Sequence, residues 1–266
     1  MNYISTSLSR LLSAAAALFP VFCSLGLTAF AQLPPLIPRE VLFGNPEKTQ
    51  PRISPNGKML AYLAPDNGVL NVWVRSVAAS DDRVVTADKK RGIRIFFWQN
   101  DSEHILYLQD QDGDENWHVY QTNLKTKITR DLTPFSGTQA EIVDVDNNFP
   151  DQLLVGLNIR NRELHDVYRI NLKNGAVDLD TENPGDVAGW TADNKFHVRA
   201  AQVSLPDGGT EIRIRDDAKS PWRSFQKWGP DESLASGVAA FIPDDSGMWI
   251  ISSVGVNAAR LLQVDI

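Results

Sequence analysis

"FWQNDSEHILYLQDQDGDENWHVYQTNL", residues 97–124, decides the fold. A turn-forming "NDSEH" leads into an apolar run, then an acidic turn, then a second apolar run. The same outline stands earlier, in "ISPNGKMLAYLAPDNGVLNVWVRSV", residues 53–77. Ile53–Leu63 aligns on Trp98–Leu108 without a gap, at an offset of 45. Asn56-Gly57 and Asp101-Ser102 are turn-formers, and Gly57 can take a positive φ at little cost. The alternation on either side is that of strands.

The repeat continues along the chain. "NVWVRSV" (71–77), "HVYQTNL" (118–124), "DVYRINL" (166–172), "EIRIRDD" (211–217) and "RLLQVDI" (260–266) stack position for position. Each opens on a polar or charged residue and then places apolar residues at alternate or near-alternate sites. The starts are 47, 48, 45 and 49 residues apart. A period in the forties built of short strands and turns is that of β-propeller blades.

"RVVTAD" (83–88) and "ITRDLTPF" (128–135) read as outer fourth strands. "IRIFFW" (93–98), "AEIVDVD" (140–146), "DVAGW" (186–190) and "GVAAFIP" (237–243) read as inner first strands. The third unit, with "NNFPDQLLVGL" (147–157), has the looser turn. A solenoid of stacked hairpins would ask for a shorter, more regular repeat. The expectation is an all-β protein: a β-propeller of four-stranded antiparallel blades, about five present and the set incomplete. Units run 53–90, 91–137, 138–184, 185–230 and 231–266, behind a lead-in segment with a short helix at 32–52. A single such sheet cannot bury both faces, so each packs on its neighbours. Trp73, Trp98, Trp117, Trp190 and Trp249 are expected as wedges between blades.

Residues 1–31 read as an export signal. Arg10 is their one charge, residues 11–31 carry none, and Ala29-Phe30-Ala31 has the small-x-small form of a cleavage site. The rival is an uncleaved anchor, since 21 uncharged residues can just span a bilayer. Cleavage after Ala31 gives a periplasmic or secreted chain. The one cysteine, Cys23, leaves with the signal, so a packed core and no disulfide holds the fold. A net charge of −7 over 266 residues argues against an extended nucleic-acid surface.

"LIPREVLFGNPEKTQPRISPNGKMLAYLAP" (36–65) resembles the opening and first blade of prolyl oligopeptidase-family serine peptidases, the dipeptidyl aminopeptidase and acylaminoacyl-peptidase group. "DQDGDENWHVYQTNL" (110–124) resembles that family's second-blade hairpin and "HDVYRINL" (165–172) its third. The resemblance implies a propeller that caps an α/β-hydrolase domain and restricts access to short peptides, which a Ser–Asp–His triad cleaves. It implies short peptides and that hydrolase domain as partners in the complete protein. No G-x-S-x-G nucleophile elbow occurs in the sequence, so no catalytic residue carries over. The fifth unit ends on its third strand at Ile266, and the chain is expected to be the front part of something longer, inactive alone. The alternative is a stand-alone TolB-like periplasmic propeller that binds proteins.

No metal or cofactor is expected. His104, His118, His165 and His197 fall in separate units without ligand spacing and read as surface or loop histidines. "DQDGDENWHVYQ" fails the EF-hand rule, because Gly113 is the fourth residue from Asp110 rather than the sixth, and the twelfth is Gln121. Two hairpin loops stand out by charge. Asp110, Asp112, Asp114 and Glu115 make one acidic; Arg160 and Arg162 make the matching loop of the third unit basic. Solvated turns are one reading. The functional reading is that these loops ring one mouth of the propeller and meet the hydrolase domain or a peptide terminus by charge pairing.

Overall fold

A computed structural model describes residues 35–266, and the export-signal reading of residues 1–31 lies outside them. Residues 35–44 and those from Asn45 onward fall in two separate units. The described part of the first carries one short helix, α1 (Arg39–Phe43), with Pro38 at its N-cap and a single turn of backbone bonds, Val41 N–H to Pro38 C=O and Gly44 N–H to Glu40 C=O, both at 3.0 Å.

The second unit is all strand apart from one turn of helix. The first sheet is β1 (Thr49–Ile53), β2 (Met59–Asp66), β3 (Val69–Ser76) and β4 (Arg83–Val84). The second is β5 (Ile95–Trp98), β6 (His104–Gln109), β7 (His118–Asn123) and β8 (Thr129–Asp131). The third is β9 (Ala140–Asp144), β10 (Gln152–Asn161), β11 (Leu164–Asn171) and β12 (Val177–Thr181). The fourth is β13 (Val187–Ala192), β14 (Val198–Ser204), β15 (Thr210–Ile214) and β16 (Arg223–Trp228), followed by helix α2 (Pro230–Ser233). The fifth has three strands, β17 (Gly237–Phe241), β18 (Gly247–Ser252) and β19 (Arg260–Asp265). Every sheet is an antiparallel meander in chain order. These are the blades expected from the repeat.

Burial explains why the inner strands read as near-continuous apolar runs. On β6, Ile105 and Tyr107 pack with Ala61, Leu63, Val72 and Val74 of the first blade, whereas Leu106 and Leu108 pack with Leu153, Val155 and Leu157 of the third. Successive side chains of one strand therefore serve opposite interfaces, the period of two applied to a sheet covered on both faces. Leu154 and Val167 meet Phe196 and Val198 between the third and fourth blades. Ile212 and Ile214 meet Phe241, Met248 and Ile250 between the fourth and fifth.

The turn joining the first two strands of a blade also recurs. Gly57, Ser102, Phe196 and Asp245 occupy its fourth position with φ of 72°, 59°, 63° and 60°. Each donates its N–H to the carbonyl three residues earlier, at 2.8–3.0 Å. This is a type I turn closed by a left-handed residue. Glycine fits that corner without strain; each of the other three receives a bond from the preceding blade, for Phe196 from Arg169 Nη2–H to its C=O at 2.8 Å. Asn194 donates its backbone N–H and Nδ2 to Asp245 Oδ1 at 2.9 and 2.7 Å, and Nδ2 also to Ile242 C=O at 2.7 Å, one blade onward. Asn56 N–H reaches Ser102 Oγ in the same way, at 3.1 Å. In the third blade the turn is looser, with Phe149 N–H on Asp146 C=O and Pro150 next.

Of the five tryptophans expected as wedges, Trp98 and Trp190 cross blade boundaries outright. Trp98 Nε1–H donates to Arg52 C=O at 2.9 Å and Trp190 Nε1–H to His165 C=O at 3.1 Å. Trp117 packs at the edge of the second–third interface. Trp73 instead bonds within its own sheet, to Ala64 C=O, and Trp249 is half-buried on β18.

Candidate functional site

The loops between second and third strands, and the connectors from a fourth strand to the next blade's first, fall at the same end of each sheet. The charged residues singled out in the sequence all lie there. The β6–β7 hairpin turns on left-handed backbone at Asp112, Gly113 and Glu115. Asp114 holds that geometry from inside: its carboxylate accepts Gln111 N–H, Asn116 N–H and Asn116 Nδ2–H, each at 3.1 Å. The Asn116 side chain foremost keeps the Asp114 carboxyl below the usual aspartate range.

Asp112 pairs with Lys90 at 2.8 Å, and the pair raises the lysine's pKa. Asp110 is buried and lies 3.5 Å from Arg91 Nη2. The acidic hairpin therefore seats on "DKKRG" (88–92), the connector leading into its own blade. Glu115 differs from these. Its backbone carbonyl accepts Gln139 Nε2–H at 3.1 Å, while its carboxylate is exposed and makes no hydrogen bond or ion pair among the described residues.

The basic hairpin divides its two arginines. Arg160 grips Asp166 at two points, Nε–H to Oδ2 at 3.0 Å and Nη2–H to Oδ1 at 2.8 Å; it also donates to Asn183 C=O and lies 3.5 Å from Glu182. The Asp166 bond raises its pKa. Arg162 instead crosses to the connector between the second and third blades, donating to Ser136 C=O, Gly137 C=O and Thr138 Oγ1. Neither arginine touches the acidic hairpin. Both loops bond the same stretch of that connector, Arg162 at residues 136–138 and the Glu115 carbonyl at Gln139.

A further set of polar residues is missed when the sequence is read for exposed charge. Asn71, His118, Asp166 and Glu211 each stand at the head of a stacked third-strand segment, and all four are buried. Each serves the turn or strand that follows its blade's third strand. Asn71 Oδ1 accepts Thr86 Oγ1–H and Asp88 N–H. His118 Nδ1 lies 2.7 Å from Asp131 Oδ2, and Asp166 accepts Asn183 N–H. Glu211 lies 3.0 Å from Arg213 and 3.5 Å from Lys227. His118 is thus a buried strand residue, a correction to its reading as a surface or loop histidine. Its polar neighbours in the stacked alignment were the available signal. No group of His, Cys, Asp and Glu suited to a metal ion occurs among the described residues.

The chain is 38% identical over 232 residues to dipeptidyl aminopeptidase BIII of Pseudoxanthomonas mexicana, an alignment that takes in 87% of this chain and 34% of that protein. The chain is related to this peptidase through a propeller-sized portion of it. It is also 32% identical over 241 residues to dipeptidyl peptidase family member 6 of Caenorhabditis elegans, covering 85% of this chain and 32% of that one. It spans about a third of the length of both relatives. Among solved structures, Porphyromonas gingivalis dipeptidyl peptidase 4 matches with a TM-score of 0.57 at 14% identity, over 84% of this chain and 38% of that one, a likeness of fold. No family model matches. The resemblance read from residues 36–65 and from the two hairpins holds, and it runs to peptidases along nearly the whole described chain.

Proposed function

We propose that this chain is the substrate-gating propeller of an exported serine peptidase that acts on short peptides, and that it works against an α/β-hydrolase domain encoded beyond residue 266. One observation carries the reading: identity of 38% across 87% of the chain confined to a third of a dipeptidyl aminopeptidase. Successive blades packed face to face form part of a propeller whose hairpin end presents charge. A catalytic domain seated there receives only peptides small enough to pass. Glu115 is the residue best placed to meet a cationic group of that domain or of the peptide, because its carboxylate is unspent while its backbone is held. Arg160 and Arg162 set the shape of the rim through their own partners. Export is supported by the uncharged run 11–31 behind Arg10 and by Ala29-Phe30-Ala31.

The test is to express the 266-residue chain joined to the reading frame that follows codon 266, and to assay hydrolysis of dipeptidyl reporters. Hydrolysis that disappears with a downstream G-x-S-x-G serine supports the reading. A downstream frame without such a motif removes it.

A further inference from the structure

A cleft of about 360 Å³ lies between the connector Ala87–Arg91 and the strand end Asp110–Asp112. Its charges are unequally used. Asp88 is spent on its own turn, accepting Lys90 N–H and Gly92 N–H. Lys90 and Asp112 neutralise each other at 2.8 Å. Two groups are poorly served, Asp110 with only a long ion pair to Arg91 and Lys89 with none among the described residues. The Asp110 side chain is only 1% exposed, and its Oδ2 has no hydrogen-bond partner. Lys89 is exposed and makes no ion pair among the described residues.

Arg91 is the plug between them. Its guanidinium is half-exposed, stands 3.5 Å from Asp110 Oδ2, and rests on Gly113, where a Cβ would lie 3.2 Å from Arg91 Cζ. Asp110 Oδ1 fares little better, with Gln109 Nε2–H at 3.4 Å. A buried carboxylate so thinly served favours any donor that reaches it.

The unspent groups fix the ligand's chemistry. A lone cation that displaced Arg91 from Asp110 would leave Arg91 and Lys89 uncompensated side by side. A lone anion would leave Asp110 Oδ2 as thinly served as before, with Arg91 at 3.5 Å and no hydrogen bond. Only a molecule that carries both an ammonium and a carboxylate satisfies all three. We propose that this cleft binds a small zwitterion of dipeptide size: the ammonium replaces the Arg91 guanidinium at Asp110 Oδ2, and the released Arg91 joins Lys89 on the carboxylate. The volume lies in the range of small-molecule sites. The inference stands on the cleft alone and holds whether or not a hydrolase domain completes the chain.

The test is titration of the isotope-labelled 266-residue chain with Ala-Ala, N-acetyl-Ala-Ala and Ala-Ala amide, read from backbone amide shifts. Saturable shifts at Lys89–Arg91 and Asp110–Gly113 are expected with Ala-Ala only. Asp110→Asn, near-isosteric, and Lys89→Ala, at an exposed position, should each weaken binding by at least about tenfold, the loss of one charge-assisted contact. Absence of saturable shifts, equal response to either blocked dipeptide, or full affinity in Lys89→Ala would each overturn the proposal.

Discussion

Asp166 accepts the backbone N–H of Asn183 at 2.7 Å, so the third strand of one blade is tied to the connector that leads into the next. Asn71 does the same for Asp88 at 2.8 Å two sheets earlier. A buried side chain that satisfies a connector's amide sets where the next blade starts. The hydrophobic interfaces supply the adhesion but, being non-directional, do not fix that start.

Asp166→Ala removes the acceptor for both Asn183 N–H and Arg160. It should lower stability by about 2–3 kcal/mol, the scale of hydrogen bonds to a charged group. Asp166→Asn keeps an acceptor and should cost visibly less. Urea unfolding of the two variants checks the order; equal midpoints would show that the amide tie is not what the carboxylate contributes.

Asn194 joins the fourth and fifth blades through three hydrogen bonds to Ile242 and Asp245, two of them from its side chain. Asn194→Ala should cost about 2 kcal/mol at roughly 1 kcal/mol per side-chain bond. Hydrogen exchange should speed first in β17 and β18, with the first three blades unchanged. Uniform loss of protection would contradict a local tie.

Asp144, near the end of β9, has its carboxyl pKa raised, chiefly by burial, against the opposing bond from Val145 N–H. A raised pKa favours the protonated form in the fold. That contribution is present below the unfolded value of about 4 and is lost as pH rises through the folded value. Asp144→Asn, which can still accept from Val145, should therefore stabilise the chain at neutral pH and leave it unchanged in acid. Thermal melts of both proteins across that range measure it, and a stabilisation as large in acid as at neutrality would refute it.

In the proposed fusion of this chain to its downstream frame, Glu115→Gln removes the unspent carboxylate of the hairpin end without touching the backbone bond to Gln139. The expected result is a shift in the kcat/KM ratio between dipeptidyl and longer reporters with an unchanged melting temperature. A constant ratio would take Glu115 out of substrate or domain contact.

The blades were legible in the sequence because packing on both faces writes a strong signal. Runs such as Ile105–Leu108 and Leu153–Leu157 must be apolar at successive positions, and the left-handed corner at Gly57 recurs at a fixed offset as Ser102. The charged hairpins were less legible, since formal charge does not reveal who is paired. Arg160 meets Asp166 because the β10–β11 hairpin folds Leu157 opposite Asp166, and Arg162 meets Ser136 on another blade. Such partners depend on register and on blade stacking, which single residues do not announce. His118 was misread for the same reason: its partner Asp131 comes from the next strand.

The central claim is that this chain is the propeller part of a peptidase whose chemistry resides in another domain. Hydrolysis of a dipeptidyl reporter by the purified 266-residue chain, measured beside the same chain fused to its downstream frame, tests it most directly. Turnover and serine-reagent labelling are expected in the fusion alone. Turnover or labelling of the 266-residue chain by itself would contradict the account.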